Sequence, residues 1–314
     1  MLVATTGSSG VRQTSGRPRR TIRRRAPSLG RLLRVVILVV CAVFFGLPLL
    51  WLLIAPSKLD NGFVNLPSLA FGALANYGRA FGNLLEYNHG EIALWTWNSV
   101  WYTVASLVIG LVISIPAGYA LATAQFRGRR LLLWLTLIAL IVPTSALVLP
   151  LFLELNTVGI VGSPWSVILP TAFFPFGVYL AYVFYATLLP KDLLAAGRVD
   201  GCSEWQLFRH VSLPLSGTLV GLLTFLSFQA NWNNYFLPYV MLNDDKNYTL
   251  AVGLQALVTG TPMIAMSAIG GTNTLLKRPE GALMGLLMVL PLALVFIGAQ
   301  RYVIRGALTG SIKE

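Results

Sequence analysis

The sequence predicts an all-α membrane protein: six transmembrane helices with a polar, helical loop between the fourth and the fifth. Three observations carry this. First, 56% of the 314 residues are hydrophobic and only 11% are charged, too apolar for a soluble domain of this length. Second, six segments reach or exceed the roughly 20 apolar residues that a bilayer requires, at 35–55, 97–124, 131–153, 165–189, 213–238 and 281–300. Third, no Asp, Glu, Lys, Arg or His lies inside any of them.

Taken in order, residues 1–30 are rich in Ser, Thr, Gly, Pro and Arg and are expected to be a disordered basic tail. Residues 31–314 form the transmembrane domain. Nine of the 23 Lys and Arg residues precede the first span, and the loops at 125–130 and 190–212 and the C-terminal tail hold three each. The positive-inside rule then places both termini in the cytoplasm of a multi-pass protein of the inner or plasma membrane. The tail reads as a topogenic segment that binds lipid headgroups. It has no interleaved aromatics for stacking on bases, so nucleic acid is not a partner. The first apolar run is long for a signal-peptide core and no small-x-small cleavage site follows it, so it is a retained span.

The first external loop, 56–94, carries Phe63, Phe71, Tyr77 and Phe81 and calls for short interfacial helices. Asn98 opens the second span and fits a helix cap. Pro143, Pro150, Pro170 and Pro175 interrupt the third and fourth spans, which is tolerated where neighbouring helices satisfy the freed carbonyls. The second external loop covers 239–280.

The polar loop reads PKDLLAAGRVDGCSEWQLFRHVSLPL from Pro190. Pro190 suits the start of a helix, and Gly201 suits a left-handed C-terminal cap. Ser203 and Gln206 fit a capping box for a second helix. Trp205, Leu207, Phe208 and Val211 give that helix apolar surface, and Pro214 ends it or bends it into the next span.

Bond chemistry has no machinery here. No Gly-x-x-x-x-Gly-Lys-Ser/Thr loop occurs, so nucleotide sits on another chain if it is used at all. His89, His210, Cys41 and Cys202 form no metal or disulfide set. The absence of charge from the spans disfavours an ion-coupled carrier, and paired repeats are absent too. A secondary carrier or facilitator of small polar solutes remains the alternative reading. In the fifth span Thr224, Ser227, Asn231 and Asn234 share one helical face, with Phe228 and Tyr235 beside it. These groups suit either a sugar or hydrogen bonds to neighbouring helices.

The loop resembles the cytoplasmic loop of membrane subunits of ATP-binding-cassette importers. The residues that carry the likeness are Ala195, Ala196 and Gly197, then Asp200 and Gly201, then Phe208, then Leu213 and Pro214. Ala195 stands where that family has Glu, and Gly197 where it has a second Ala. The strings NSVWYTVASLVIGLVISIPAGYALATAQFRGRR from Asn98, NWNNYFLP from Asn231 and QRYVIRGALTGSIK from Gln300 are similar to the carbohydrate-type group, of which the maltose importer's smaller membrane subunit is the nearest type. The resemblance implies a type I importer transmembrane domain with a coupling helix. Its ATPase-coupling residues would be Leu193, Leu194, Ala195, Ala196, Gly197, Asp200, Gly201, Trp205, Phe208 and Pro214. It implies a permease for a sugar or oligosaccharide, working by alternating access and not as an enzyme. The partners would be a second permease subunit in a heterodimer, an ATPase dimer holding ATP and Mg, and an extracytoplasmic solute-binding protein. This chain itself would bind no cofactor.

Overall fold

The computed structural model describes residues 29–260 and 277–309. Residues 1–28 of the basic tail expected at 1–30 and residues 261–276 of the second external loop therefore lie outside the described residues, while Leu29 and Gly30 are helical rather than part of that tail. The chain divides into two units, 1–49 and 50–314.

The described part of the first unit is the greater part of α1 (Leu29–Ile54). Val35, Val36, Ile37, Leu38, Val39 and Val40 are consecutive and all exposed, so they lie around the whole circumference. A helix apolar on every side suits lipid.

The second unit begins with the last turn of α1. The loop after it folds into the short helices that its aromatics call for, α2 (Gly62–Asn65) and α3 (Ala75–Glu86). Lys58 ties this region together, since its ammonium donates to Pro67 O at 2.8 Å and Ser68 O at 2.9 Å.

Next comes α4 (Glu91–Thr123), the longest helix among the described residues. It starts earlier than the apolar pattern suggests, because Gly90 at φ 95° turns the chain into it. Asn98 is therefore two turns inside the helix and is not its cap. Ser99, Thr103, Ser106, Gly110, Ser114 and Gly118 recur every three or four residues and are all buried. Such a stripe lets backbones approach closely where lipid gives no hydrophobic drive to pack. A Cβ at Gly110 would stand 3.1 Å from Ala172 O, and one at Gly118 would overlap Ala181.

The third apolar segment is not one straight span. α5 (Arg129–Ile141) and α6 (Thr144–Thr157) meet at 106°. Pro143 has no N–H to donate and disfavours helix in the residue before it, and Val142 is extended at ψ 122°. The fourth span is α7 (Trp165–Ala172) with α8 (Pro175–Thr187). Ser106 Oγ reaches Ile168 O at 3.3 Å and Thr171 Oγ1 at 2.8 Å, and Ser114 Oγ donates to Phe174 O at 3.3 Å. The α4 stripe thus supplies partners before and within the α7–α8 break.

The polar loop contains α9 (Lys191–Val199) and α10 (Glu204–Leu207). A π-helical turn at Phe208–Ser212 follows, then α11 (Leu213–Leu215) and α12 (Gly217–Trp232). The chain bends by 77° between Leu215 and Gly217, just beyond Pro214. The expected helix through residue 238 stops at Trp232. Asn233 Nδ2 bonds Gln229 O at 3.0 Å, and Pro238 cannot donate to the carbonyl of Asn234. The chain restarts as α13 (Phe236–Met241).

The apolar pattern did not foresee α14 (Leu250–Gly260), and α15 (Arg278–Thr309) closes the described chain. Among the described residues, four helices are long and apolar enough to cross a membrane, or six with each bent pair counted as one span.

Candidate functional site

The polar loop is a closed helical hairpin. Asp200 N donates to Ala196 O at 2.9 Å, Gly201 N to Arg198 O at 3.1 Å and Cys202 N to Gly197 O at 2.9 Å. These bonds end α9, and Gly201 takes the left-handed conformation, φ 81°, that the turn requires. The capping box of α10 is complete: Gln206 N donates to Ser203 Oγ at 3.3 Å and Ser203 N to Gln206 Oε1 at 2.7 Å. Arg198 Nε bonds Glu204 Oε1 at 2.7 Å and joins the two helices. That hydrogen bond holds the Glu204 carboxyl below its usual pKa. Gly197 is the point of closest approach, since a Cβ there would stand 2.5 Å from Leu207 Cδ2. An alanine there would require the Leu207 side chain to turn aside.

The hairpin has two sides. Leu194, Leu207 and Phe208 are buried in a cluster with Tyr119, Tyr185, Leu219 and Leu223. They seat the loop on α4, α8 and α12. Leu193, Ala195, Ala196, Asp200, Gly201 and Trp205 are exposed, with Trp205 at 61%. Val199 is 87% exposed and extends the same apolar surface. Sequence reasoning passed over it, although Leu193, Ala196 and Val199 recur every three residues along α9. Pro214 is exposed at the bend and belongs to neither side.

The polar stripe of the fifth span is only partly assembled. Thr224, Ser227 and Asn231 lie on α12, and Asn231 Nδ2 donates to buried Ser227 at 3.3 Å. Asn234 and Tyr235 fall in the break after the helix. Tyr235 stacks on Tyr239 with centroids 5.3 Å apart. Phe228 stacks parallel on Trp232 at 5.6 Å, whose indole N–H donates to Met288 O at 2.9 Å. Phe228 therefore packs toward α15. Asn231 instead lines a small cleft with Ser99, Tyr102, Thr103, Ser106, Thr171 and Thr249. Most of those hydroxyls belong to α4, and their spacing of three and four residues was the signal for them.

The other end of α4 grips the segment before α14. Trp95 Nε1 donates to Asp245 O at 2.8 Å, Asn98 Nδ2 to Lys246 O at 2.8 Å and Tyr248 O at 3.1 Å, and Tyr102 OH to Asn247 O at 3.0 Å. Ser99 Oγ accepts from Leu250 N at 2.7 Å. One helix therefore touches the hairpin at Tyr119 and this segment at Trp95, about 36 Å apart along its axis.

Comparison with known proteins agrees with this architecture. The chain is 36% identical over 221 residues to the arabinooligosaccharides transport system permease protein of Halalkalibacterium halodurans, covering 70% of this chain and 74% of that protein. It is 29% identical over 302 residues to the lactose transport system permease protein of Rhizobium radiobacter, covering 93% and 99%. A chain of a bacterial ABC transporter involved in the import of the acidic polysaccharide alginate has the same fold, with a TM-score of 0.73 at 18% identity, covering 86% of this chain and 95% of that one. A family model matches residues 110–308, which include the hairpin, α12 and α15. The chain therefore belongs to the family of binding-protein-dependent transport system inner membrane components.

Proposed function

We propose that this chain is one of two different membrane subunits that form the pore of an ATP-driven importer for a sugar or oligosaccharide. Relatives named for arabinooligosaccharide and lactose transport support the substrate class. ATP and Mg sit on a dimeric ATPase subunit, and an extracytoplasmic binding protein delivers the solute. Both termini and the hairpin lie on the cytoplasmic side, and residues 31–314 act as one permease domain. ATP closes the ATPase dimer, the hairpins of the two membrane subunits move together, and the spans turn outward. Hydrolysis resets the inward-facing state. Thr224, Ser227 and Asn231 line part of the path, joined by the hydroxyls of α4.

The observation that carries this reading is the two-sided hairpin. Its buried side is fixed to three spans, while Leu193, Val199 and Trp205 present an apolar surface to the outside. An aqueous loop gains nothing from such a surface unless a partner covers it. A charge there should break docking without disturbing the seat. Trp205→Glu is expected to lose co-purification of the ATPase at least tenfold while the protein still inserts and folds. Retention of the ATPase at the wild-type ratio would reject the coupling role.

A further inference from the structure

Among the described residues, two buried side-chain polar atoms have no hydrogen-bond partner, the Tyr119 hydroxyl and Ser212 Oγ. Both adjoin the π-helical turn at Phe208–Ser212. The Tyr119 ring packs on Phe208, the first residue of the turn, at 5.1 Å. Ser212 is its last residue and is fully buried. Native proteins rarely leave buried polar atoms unpaired, and each such case calls for an explanation.

The turn offers one. Here Leu213 N donates to Phe208 O, five residues back. In α geometry that carbonyl would accept from Ser212 N, and the Ser212 hydroxyl could back-bond to it as well. Pro214 lowers the cost of leaving α geometry, because it has no N–H for the carbonyl of His210. Removing the π register would also rotate α10 relative to α11, by about 100° for one residue. Glu204 is carried on α10. A weak side-chain hydrogen bond from Tyr119 is the smallest of the influences lowering its pKa, after those of Arg198, although the hydroxyl makes no bond of ordinary length in this conformation.

We propose that Phe208–Ser212 is a two-state turn, π in this conformation and α in the ATP-bound one, and that Tyr119 and Ser212 are the groups the conversion satisfies. In the second state Ser212 bonds Phe208 O, and Tyr119 donates to Glu204. Tyr119 is thus a positioning residue that links the motion of the hairpin to α4. This rests on the reading of the hairpin as the coupling element.

The test uses the full complex in lipid vesicles, with ATP and orthovanadate as the probe. Tyr119→Phe and Ser212→Ala remove hydroxyls that are unpaired here, so neither is expected to lower the thermal midpoint of the nucleotide-free complex. Each removes a bond from the trapped state. Retention of labelled nucleotide should fall about tenfold for Tyr119→Phe, whose acceptor is charged, and about fivefold for Ser212→Ala. Wild-type trapping in both variants would overturn the proposal. So would a lowered midpoint without nucleotide, which would mean that the hydroxyls already serve this state. Trp205→Glu separates the two levels. If it breaks ATPase docking while Tyr119→Phe traps normally, only the two-state turn fails. If Trp205→Glu docks normally, the coupling reading fails and the turn's role falls with it.

Discussion

At Lys58 a charged side chain is 2% exposed and is held by two backbone carbonyls. Its ammonium also lies 5.9 Å from the Phe63 ring centroid. Burying a cation is unfavourable unless its donors are used, and here Pro67 O and Ser68 O use two of the three. Nearby, Glu280 is equally buried and accepts from Asn83 Nδ2 at 2.8 Å and Lys277 N at 2.9 Å. Lys58→Met keeps the aliphatic length and strands both carbonyls. It should destabilise the protein by roughly 2–4 kcal/mol, read as the shift in thermal unfolding in detergent, and an unshifted transition would count against this role. In the sequence Lys58 is one of five basic residues on the predicted outer side. Nothing in its neighbours signals burial, because the carbonyls that hold it belong to a loop that only the fold brings back.

At the level of the element, α4 carries two functions on one stripe: small residues admit α7 and α8, and hydroxyls satisfy their broken backbone. Gly118→Leu should separate α4 from α8 and sharply reduce folded, monodisperse protein at matched expression. Gly298, which has open space around a Cβ, is the contrast. Gly298→Ala should be neutral or stabilising by up to about 1 kcal/mol. If the two variants behave alike, close approach is not what Gly118 provides. The hairpin was legible in the sequence because its signals are local: Pro190 before a helix, Gly201 after it, Ser203 three residues before Gln206. The third and fifth spans were less so. Hydropathy records that a segment is apolar, not that Pro143 or Pro238 breaks its hydrogen-bond ladder. That is why Asn234 and Tyr235 were placed on a helix that ends at Trp232.

For the whole molecule, the charge pattern predicts which side each loop faces. The hairpin and the 243–250 segment contact opposite ends of α4, a separation close to the roughly 30 Å of a hydrocarbon core. Single cysteines at Gly128 and Lys191, in a background lacking Cys41 and Cys202, should resist an impermeant thiol reagent in intact cells. Those at Asn61 and Asn247 should react. Labelling of Lys191 from outside would invert the topology. Composition sufficed for the membrane class, since 11% charge over 314 residues leaves no other solvent. It could not reveal α14, whose apolar residues are too few to span and pack instead against α4 and α15.

The grip of α4 on residues 245–248 has a consequence for how this surface can change over time. Every hydrogen bond from Trp95, Asn98 and Tyr102 to this segment ends on a main-chain oxygen, and the Tyr248 ring adds a contact to Trp95 at 6.3 Å. Carbonyls are common to all amino acids, so the hydrogen bonds of the grip do not depend on which side chains the segment carries. Asp244 caps the turn, accepting from Lys246 N at 3.0 Å, but Asn243, Asp245 and Lys246 are exposed. Their identities are free to drift, or to be exchanged by design, while the path of the chain stays the same. A permease built this way can acquire a new face at this end of α4 without having to evolve a new scaffold beneath it.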